Sequence, residues 1–355
     1  MSYIDNIRKC VPYTPGEQPQ RKVIKLNTNE CPYPPSPEVE KVFKSFDTEA
    51  LRKYPDPVCK DLVHSIAEYY GLKDEEVFVG VGSDDVLSMC FLTFFAGKKP
   101  VIFPDITYSF YDVWADVYRI PYEQIPLKED FSLDPEDYIG RENGGIVIAN
   151  PNAPTGVLES LDAIERIVKA NPDSMVIVDE AYIDFGGETA IPLISKYENV
   201  IITRTMSKSR ALAGLRVGYA FGNAKAIKYL NDVKFSVNSY TMNMPALAAG
   251  KAAIEDDVYF KDITSRVINT REWTKEQLRS LGFTFRDSMT NFVFATSETV
   301  VNRDGSMKAV FEGLKEKDIY VRFFDKPILK NYLRISIGTD EEMRAFIDAL
   351  KPMLP

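Results

Sequence analysis

Lys208 stands between Ser207 and Ser209, with Thr205 shortly before it and Arg216 eight residues after, inside TMSKSRALAGLRVGY. A single lysine is ordinarily a solvated surface charge. Hydroxyls, an arginine fork and a helix start gathered around it make a cup for a phosphate. Twenty-nine residues earlier, Asp179 follows the apolar run 175–178. A carboxylate at the buried end of a strand is costly unless a cation or a hydrogen-bond donor faces it. It reads either as one half of an ion pair or helix cap, or as the group that keeps a heterocyclic nitrogen protonated. In GVGSDD (80–85), Asp85 stands where a dinucleotide loop needs its third glycine. The alternative is a strand followed by Ser83 as the N-cap of a helix, whose free N–H groups and positive dipole end face an anion.

The elements that must bring these groups together are strands. Short β-rich runs recur at 77–81, 100–103, 118–125, 145–150, 175–180, 199–204 and 216–221. Several are continuously apolar, as strands covered on both faces are, which predicts a mostly parallel seven-stranded sheet between helices, an α/β doubly wound arrangement. Ligands of such sheets sit beyond the carboxyl ends of the strands, where GSDD, PNAPTG, DEAY and TMSK fall. After about residue 240 a long helical stretch (243–281), three strand runs and a helix from Asp340 predict a smaller C-terminal α+β domain. An amine, a buried carboxylate and a phosphate cup together suit pyridoxal 5'-phosphate, which carries an aldehyde, a pyridine nitrogen and a phosphate.

Composition narrows the chemistry further. The chain has 355 residues, 45% hydrophobic and 27% charged, with 43 basic against 52 acidic side chains and a net charge of -9. That field repels nucleic acid and anionic lipid, so neither is an expected partner, and any anionic ligand must be held locally. No apolar run reaches the roughly 18 to 20 residues of a membrane helix. The single histidine, His64, excludes imidazole triads and multi-histidine metal sites. Walker, HExxH and GxSxG motifs are missing too. The cysteines, Cys10, Cys31, Cys59 and Cys90, show no CxxC spacing, and the N-terminus has no secretory apolar region, which together predict a reducing cytoplasm and an extended N-terminal arm.

LNTNE (26–30), YPDP (54–57), GSDD (82–85), NPNAPTG (150–156), VDEAY (178–182), TMSKSRALAGLRVGY (205–219) and YLRISIG (332–338) occur in order along nearly the whole chain. This set resembles the histidinol-phosphate aminotransferase family, within the fold-type I pyridoxal-phosphate enzymes. The resemblance implies that Lys208 takes the cofactor aldehyde, Asp179 pairs with the pyridine nitrogen, Tyr182 reaches the ring oxygen and Tyr108 stacks on the ring. It assigns the cofactor phosphate to Ser83, the Asp84 backbone, Thr205, Ser207 and Arg216, with Tyr54 reaching it from the other subunit of a homodimer. The family asparagine before PTG is Ala153 here, so Asn152 is the residue expected to replace it. Arg334 matches the fork for a substrate α-carboxylate, and Arg322 with Tyr13 matches the positions that contact a substrate phosphate. Phe323 and Phe324 follow Arg322 and admit an aromatic side chain. The expected reaction is transfer of an amino group between small molecules, histidinol phosphate with 2-oxoglutarate and glutamate as the second pair. Aromatic amino acid transamination and threonine-phosphate decarboxylation are the alternatives. The expected division is an arm and connector over 1–47, a cofactor-binding domain over 48–240 and a small domain over 241–355.

Overall fold

The computed structural model describes residues 2–354. Twelve strands form two sheets among these residues: β1 Ile24–Leu26, β2 Val77–Gly80, β3 Val101–Pro104, β4 Tyr122–Ile125, β5 Gly145–Ala149, β6 Val176–Asp179, β7 Val200–Thr205, β8 Gly218–Gly222, β9 Thr284–Phe285, β10 Phe292–Thr296, β11 Ile319–Phe323 and β12 Leu333–Ser336. The larger sheet has the order β2-β8-β7-β6-β5-β3-β4. Only β8 runs antiparallel to its neighbours. All seven expected strands are thus present in one mostly parallel sheet.

Alternate residues of the central strands enter different cores. Ile146, Ile148, Val176, Val178, Val200 and Ile202 pack into one apolar cluster, while Val147, Ile177 and Ile201 pack into the cluster on the opposite face. Helices cover both faces, so neither set of side chains meets water, and a continuous apolar run is the result. Each such residue contributes about 1.5 to 3 kcal/mol by its burial.

The smaller sheet has the order β1-β11-β12-β10-β9, with β1 parallel to β11 and the remaining pairs antiparallel. Its N-terminal strand comes from the connector, and the helix Asp340–Leu350 packs Met343, Phe346 and Ile347 into the same core.

Four local expectations are corrected. The helical stretch 243–281 is two helices, Met244–Glu255 and Asp257–Ser280, because the Asp256 side chain caps the second and accepts the Ser36 hydroxyl at 2.5 Å. In 118–125 only Tyr122–Ile125 is strand: Tyr118 closes a helix that Arg119 ends at φ +58°. Arg216, at φ +55°, lies ahead of the strand that begins at Gly218. Ser83 is not the N-cap: the helix Gly82–Phe94 already includes it, and Val81 holds the cap position with no side-chain bond. Gly82 turns the chain at φ +81°, and the Asp85 carboxylate accepts the Val81 N–H at 2.9 Å, so the turn is closed without the serine.

Candidate active site

The strand ends of the large sheet converge on one cavity that residues of the connector also line. Ser83 and Asp84 come from the helix after β2, Asp179 and Tyr182 follow β6, Thr205, Ser207 and Lys208 follow β7, and Arg216 precedes β8. Tyr108 from the β3 loop lines it as well, as do Thr28 and Glu30 of the connector. Parallel strands place their carboxyl ends side by side, which is why residues as far apart in sequence as Ser83 and Arg216 share one hollow.

Asp179 is fully buried and has no ion pair with a lysine or arginine among the described residues. Its Oδ2 accepts the Tyr111 hydroxyl at 2.9 Å and its Oδ1 accepts the Thr203 hydroxyl at 3.1 Å. Burial pushes its carboxyl up from 3.8 to about 6, and the donated hydrogen bonds of Tyr111 and Thr203 oppose that rise. Lys208 Nζ donates to the Thr28 carbonyl at 3.2 Å and lies 5.8 Å from the centre of the Tyr182 ring. The Tyr182 hydroxyl accepts Asn29 Nδ2 at 3.0 Å.

At the other end of the cavity Thr205 donates to the Ser207 hydroxyl at 2.9 Å, and the Arg216 guanidinium reaches Ser207 Oγ at 3.4 Å and Asp84 Oδ2 at 3.2 Å. Asp84 also accepts the Tyr108 hydroxyl at 2.8 Å. The cup is built to tight clearance: a Cβ on Gly82 would lie 2.5 Å from Arg216, and one on Gly218 would lie 2.4 Å from the Ser83 backbone N. An arginine and two hydroxyls beside a helix start suit a phosphate, a lone amine suits an aldehyde, and a buried carboxylate suits a protonated ring nitrogen, so the residues present fit pyridoxal 5'-phosphate.

A second hollow shares Tyr108 with the first and is lined by Tyr13, Arg322 and Phe324. Tyr13 stacks on Phe110 with ring centroids 4.3 Å apart, which seats the N-terminal arm on the large sheet's helices. Arg322 donates to the arm carbonyls of Thr14, at 3.2 Å, and Pro15, at 3.5 Å. Arg334 is its cross-strand partner on β12, and both guanidinium carbons lie over Phe324, at 5.3 and 5.6 Å from the ring centre. Arg334 donates to the Asn27 carbonyl at 3.0 Å, its Nε has no partner, and burial lowers its pKa. Neither arginine has an ion pair among the described residues.

Three expected residues line neither hollow: Arg334, Asn152 and Tyr54. Asn152 is turned into the loop: its Nδ2 donates to the Ile106 carbonyl and Thr155, and its Oδ1 accepts the Thr107 hydroxyl at 2.8 Å. With every amide atom engaged it leaves the position of the missing asparagine unfilled, and Pro151 and Ala153 line the cavity instead. Tyr54 is 78% exposed and stacks on Tyr240 at 4.6 Å.

Sequence reasoning missed Tyr111 and Thr203, and it gave the segment LNTNE (26–30) no role in the site. Thr203 is a hydroxyl in an otherwise apolar strand, opposite Asp179 in the β6–β7 register, and that polar interruption was its signal. Tyr111 had a weaker one, a second tyrosine three residues after Tyr108.

The family described as aminotransferase class I and II matches residues 21–350. A histidinol-phosphate aminotransferase from Clostridium botulinum is 50% identical over 354 residues, covering 99% of this chain and 98% of its own. One from Lactococcus lactis subsp. cremoris is 49% identical over 355 residues, with 100% and 98% coverage. Among solved structures, the histidinol-phosphate aminotransferase from Sinorhizobium meliloti in complex with pyridoxal-5'-phosphate aligns with a TM-score of 0.85 at 25% identity, over 94% of this chain and 91% of its own.

Proposed function

The chain belongs to the class I and II aminotransferases, and we propose that it moves the amino group of histidinol phosphate to 2-oxoglutarate with pyridoxal 5'-phosphate as cofactor. The observation that carries the substrate reading is the pair Arg322 and Arg334. Like charges directly opposite each other weaken a sheet, and Arg334 is half-buried with no carboxylate paired to it among the described residues. Two guanidiniums with no acid between them form half of an ion pair whose other half is a dianion, which a phosphate monoester supplies and a neutral aromatic ring does not. A single carboxylate, as in glutamate, needs Arg334 alone.

When bound, the cofactor supplies an electron sink for the pair left by a broken bond at the substrate's Cα. Asp179, as a carboxylate, holds a proton on the ring nitrogen. Tyr182, fixed by Asn29, directs its hydroxyl at the ring oxygen, and Tyr108 packs against the ring face. Ser83, the Asp84 N–H, Thr205, Ser207 and Arg216 would hold the phosphate. Lys208 would hold the aldehyde, and its amine would serve as the base that moves the proton from Cα. Arg334 would hold the substrate's acidic end and so fix which bond at Cα is broken.

The homodimer is supported by exposed apolar side chains in and beside one segment: Leu51, Tyr54 and Val58 are each more than half exposed, and Tyr240 lies against Tyr54. In this reading Tyr54 reaches the phosphate of the other subunit. Residues 48–240 then act as the cofactor-binding unit and 241–355, with β1 of the arm, as the unit that carries the substrate arginines. Four free cysteines and no membrane-length apolar helix among the described residues accord with a cytoplasmic site of action.

The test compares half-reactions. Arg322→Ala should raise KM for histidinol phosphate about tenfold or more while changing that for glutamate little; equal losses would remove Arg322 from the phosphate site. Turnover of phenylalanine far above histidinol phosphate would overturn the substrate, and release of carbon dioxide from threonine phosphate would overturn the reaction.

A further inference from the structure

We propose that Tyr111 is a positioning residue for the cofactor: its hydroxyl hydrogen bond keeps the Asp179 carboxylate charged and aimed at the cavity, so that the proton it shares with the pyridine nitrogen stays on the ring. The inference rests on the cofactor assignment above and adds a residue to it.

Tyr111 opens the helix Tyr111–Tyr118 and is completely buried. Its ring is wedged among Phe91, Phe103, Tyr108 and Trp114, with centroids 5.7 to 6.3 Å away. The bearing of the hydroxyl is therefore set by packing, and the acceptor it meets is Asp179 Oδ2 at 2.9 Å. Thr203 from β7 donates to the other oxygen at 3.1 Å, and the Ala181 N–H donates from the loop after β6. Three elements thus hold both oxygens of the carboxylate, and Asp179 lines the cavity.

What surrounds this carboxylate makes the donors matter. The titratable groups facing it are Asp84 and Cys90 on the helix Gly82–Phe94, Tyr108, Tyr111, Tyr182 and, across the cavity, Lys208. Asp84 disfavours its charge, burial disfavours it more, and no arginine or lysine lies within ion-pair distance. Donors that bond to the charged form lower a carboxylate's proton affinity. Asp179 and a pyridine nitrogen compete for one proton, and a carboxylate relieved of a donor competes harder. Without the Tyr111 hydroxyl the proton moves toward Asp179, the ring loses positive charge, and its capacity to accept electrons falls.

The experiment uses the full chain loaded with pyridoxal 5'-phosphate, with Tyr111→Phe keeping the ring and its packing. A lost hydrogen bond to a charged group corresponds to about a tenfold or greater rise in the cofactor dissociation constant, measured by titrating the apoprotein. The midpoint of the pH-dependent absorbance change of the bound cofactor should move upward, because a less positive ring holds a proton more firmly at its Lys208 end. The kcat should fall about tenfold with KM for both substrates within about twofold. In an Asp179→Asn background the same Tyr111→Phe change should cost little more, since the group it acts through is gone. A Tyr111→Phe chain with wild-type affinity and spectrum, or one whose losses are undiminished in the Asp179→Asn background, would overturn the proposal alone. A wild-type chain that takes up no pyridoxal phosphate would overturn the cofactor assignment with it.

Discussion

Asp179→Asn should make the cofactor-free protein more stable at neutral pH while removing its activity. In the folded apoprotein the Asp179 carboxyl keeps its proton to about pH 6, whereas its ordinary value is 3.8. Between those values the folded chain binds a proton that the unfolded chain has released, so stability falls as pH rises through the window and levels off above it. The difference of about 2 units, at about 1.36 kcal/mol each, amounts to about 3 kcal/mol above pH 7. Roughly half is already present at pH 5, which leaves about 1.4 kcal/mol to appear between pH 5 and pH 8. Asparagine cannot ionise and carries no such slope. At about 2.1 cal/mol/K per residue, this chain's unfolding entropy converts 1.4 kcal/mol into about 2 °C. Thermal melts of both apoproteins at pH 5 and pH 8 should therefore diverge by about that amount, the variant gaining on the wild type as pH rises. Parallel curves, or a variant that loses ground toward pH 8, would refute the reasoning. Saturating pyridoxal phosphate should invert the order at pH 8, because the buried charge then has its partner.

Lys208→Ala should abolish turnover yet leave the cofactor bound without a covalent link, so that dialysis removes it from the variant faster than from the wild type. Arg334→Lys preserves the charge but not the fork and should lower kcat/KM for both substrates by about a hundredfold, the worth of two charge-assisted hydrogen bonds; a loss below about threefold would deny it the anchoring role. Gly82→Ala adds a Cβ at φ +81° against Arg216; it should weaken cofactor binding at least tenfold and lower stability by about 1 to 3 kcal/mol, read by titration and by melting.

The large sheet was legible because its physics is local. Three neighbouring strands have residues buried on both faces, and a run such as 145–149 must then be apolar at every position. The residues just after those strands were legible for the same reason, since topology alone brings them together. What stayed hidden depended on register and distant partners. That Thr203 faces Asp179 follows from the alignment of β6 with β7, and that Lys208 leans on the Thr28 carbonyl joins residues 180 apart. The break at Asp256 was hidden because Ser36, far away in the chain, helps hold that carboxylate. A serine after a strand suggests a helix cap, but at Ser83 Gly82 makes the turn and Asp85 closes it. Asn152 was misjudged because its neighbours Ile106, Thr107 and Thr155 satisfy it entirely.

The parallel pairing of Ile24–Leu26 with Ile319–Val321 has a temporal consequence. A nascent polypeptide emerging from the ribosome exposes this strand long before its mate, which follows about 290 residues later. The larger sheet, complete by residue 222, is free to form meanwhile, since its contacts are nearer in sequence. Thr28 and Asn29, which touch Lys208 and Tyr182, follow directly on that waiting strand. An unfinished chain can therefore own the phosphate cup while lacking the wall that encloses the amine, and only a completed molecule closes the chamber.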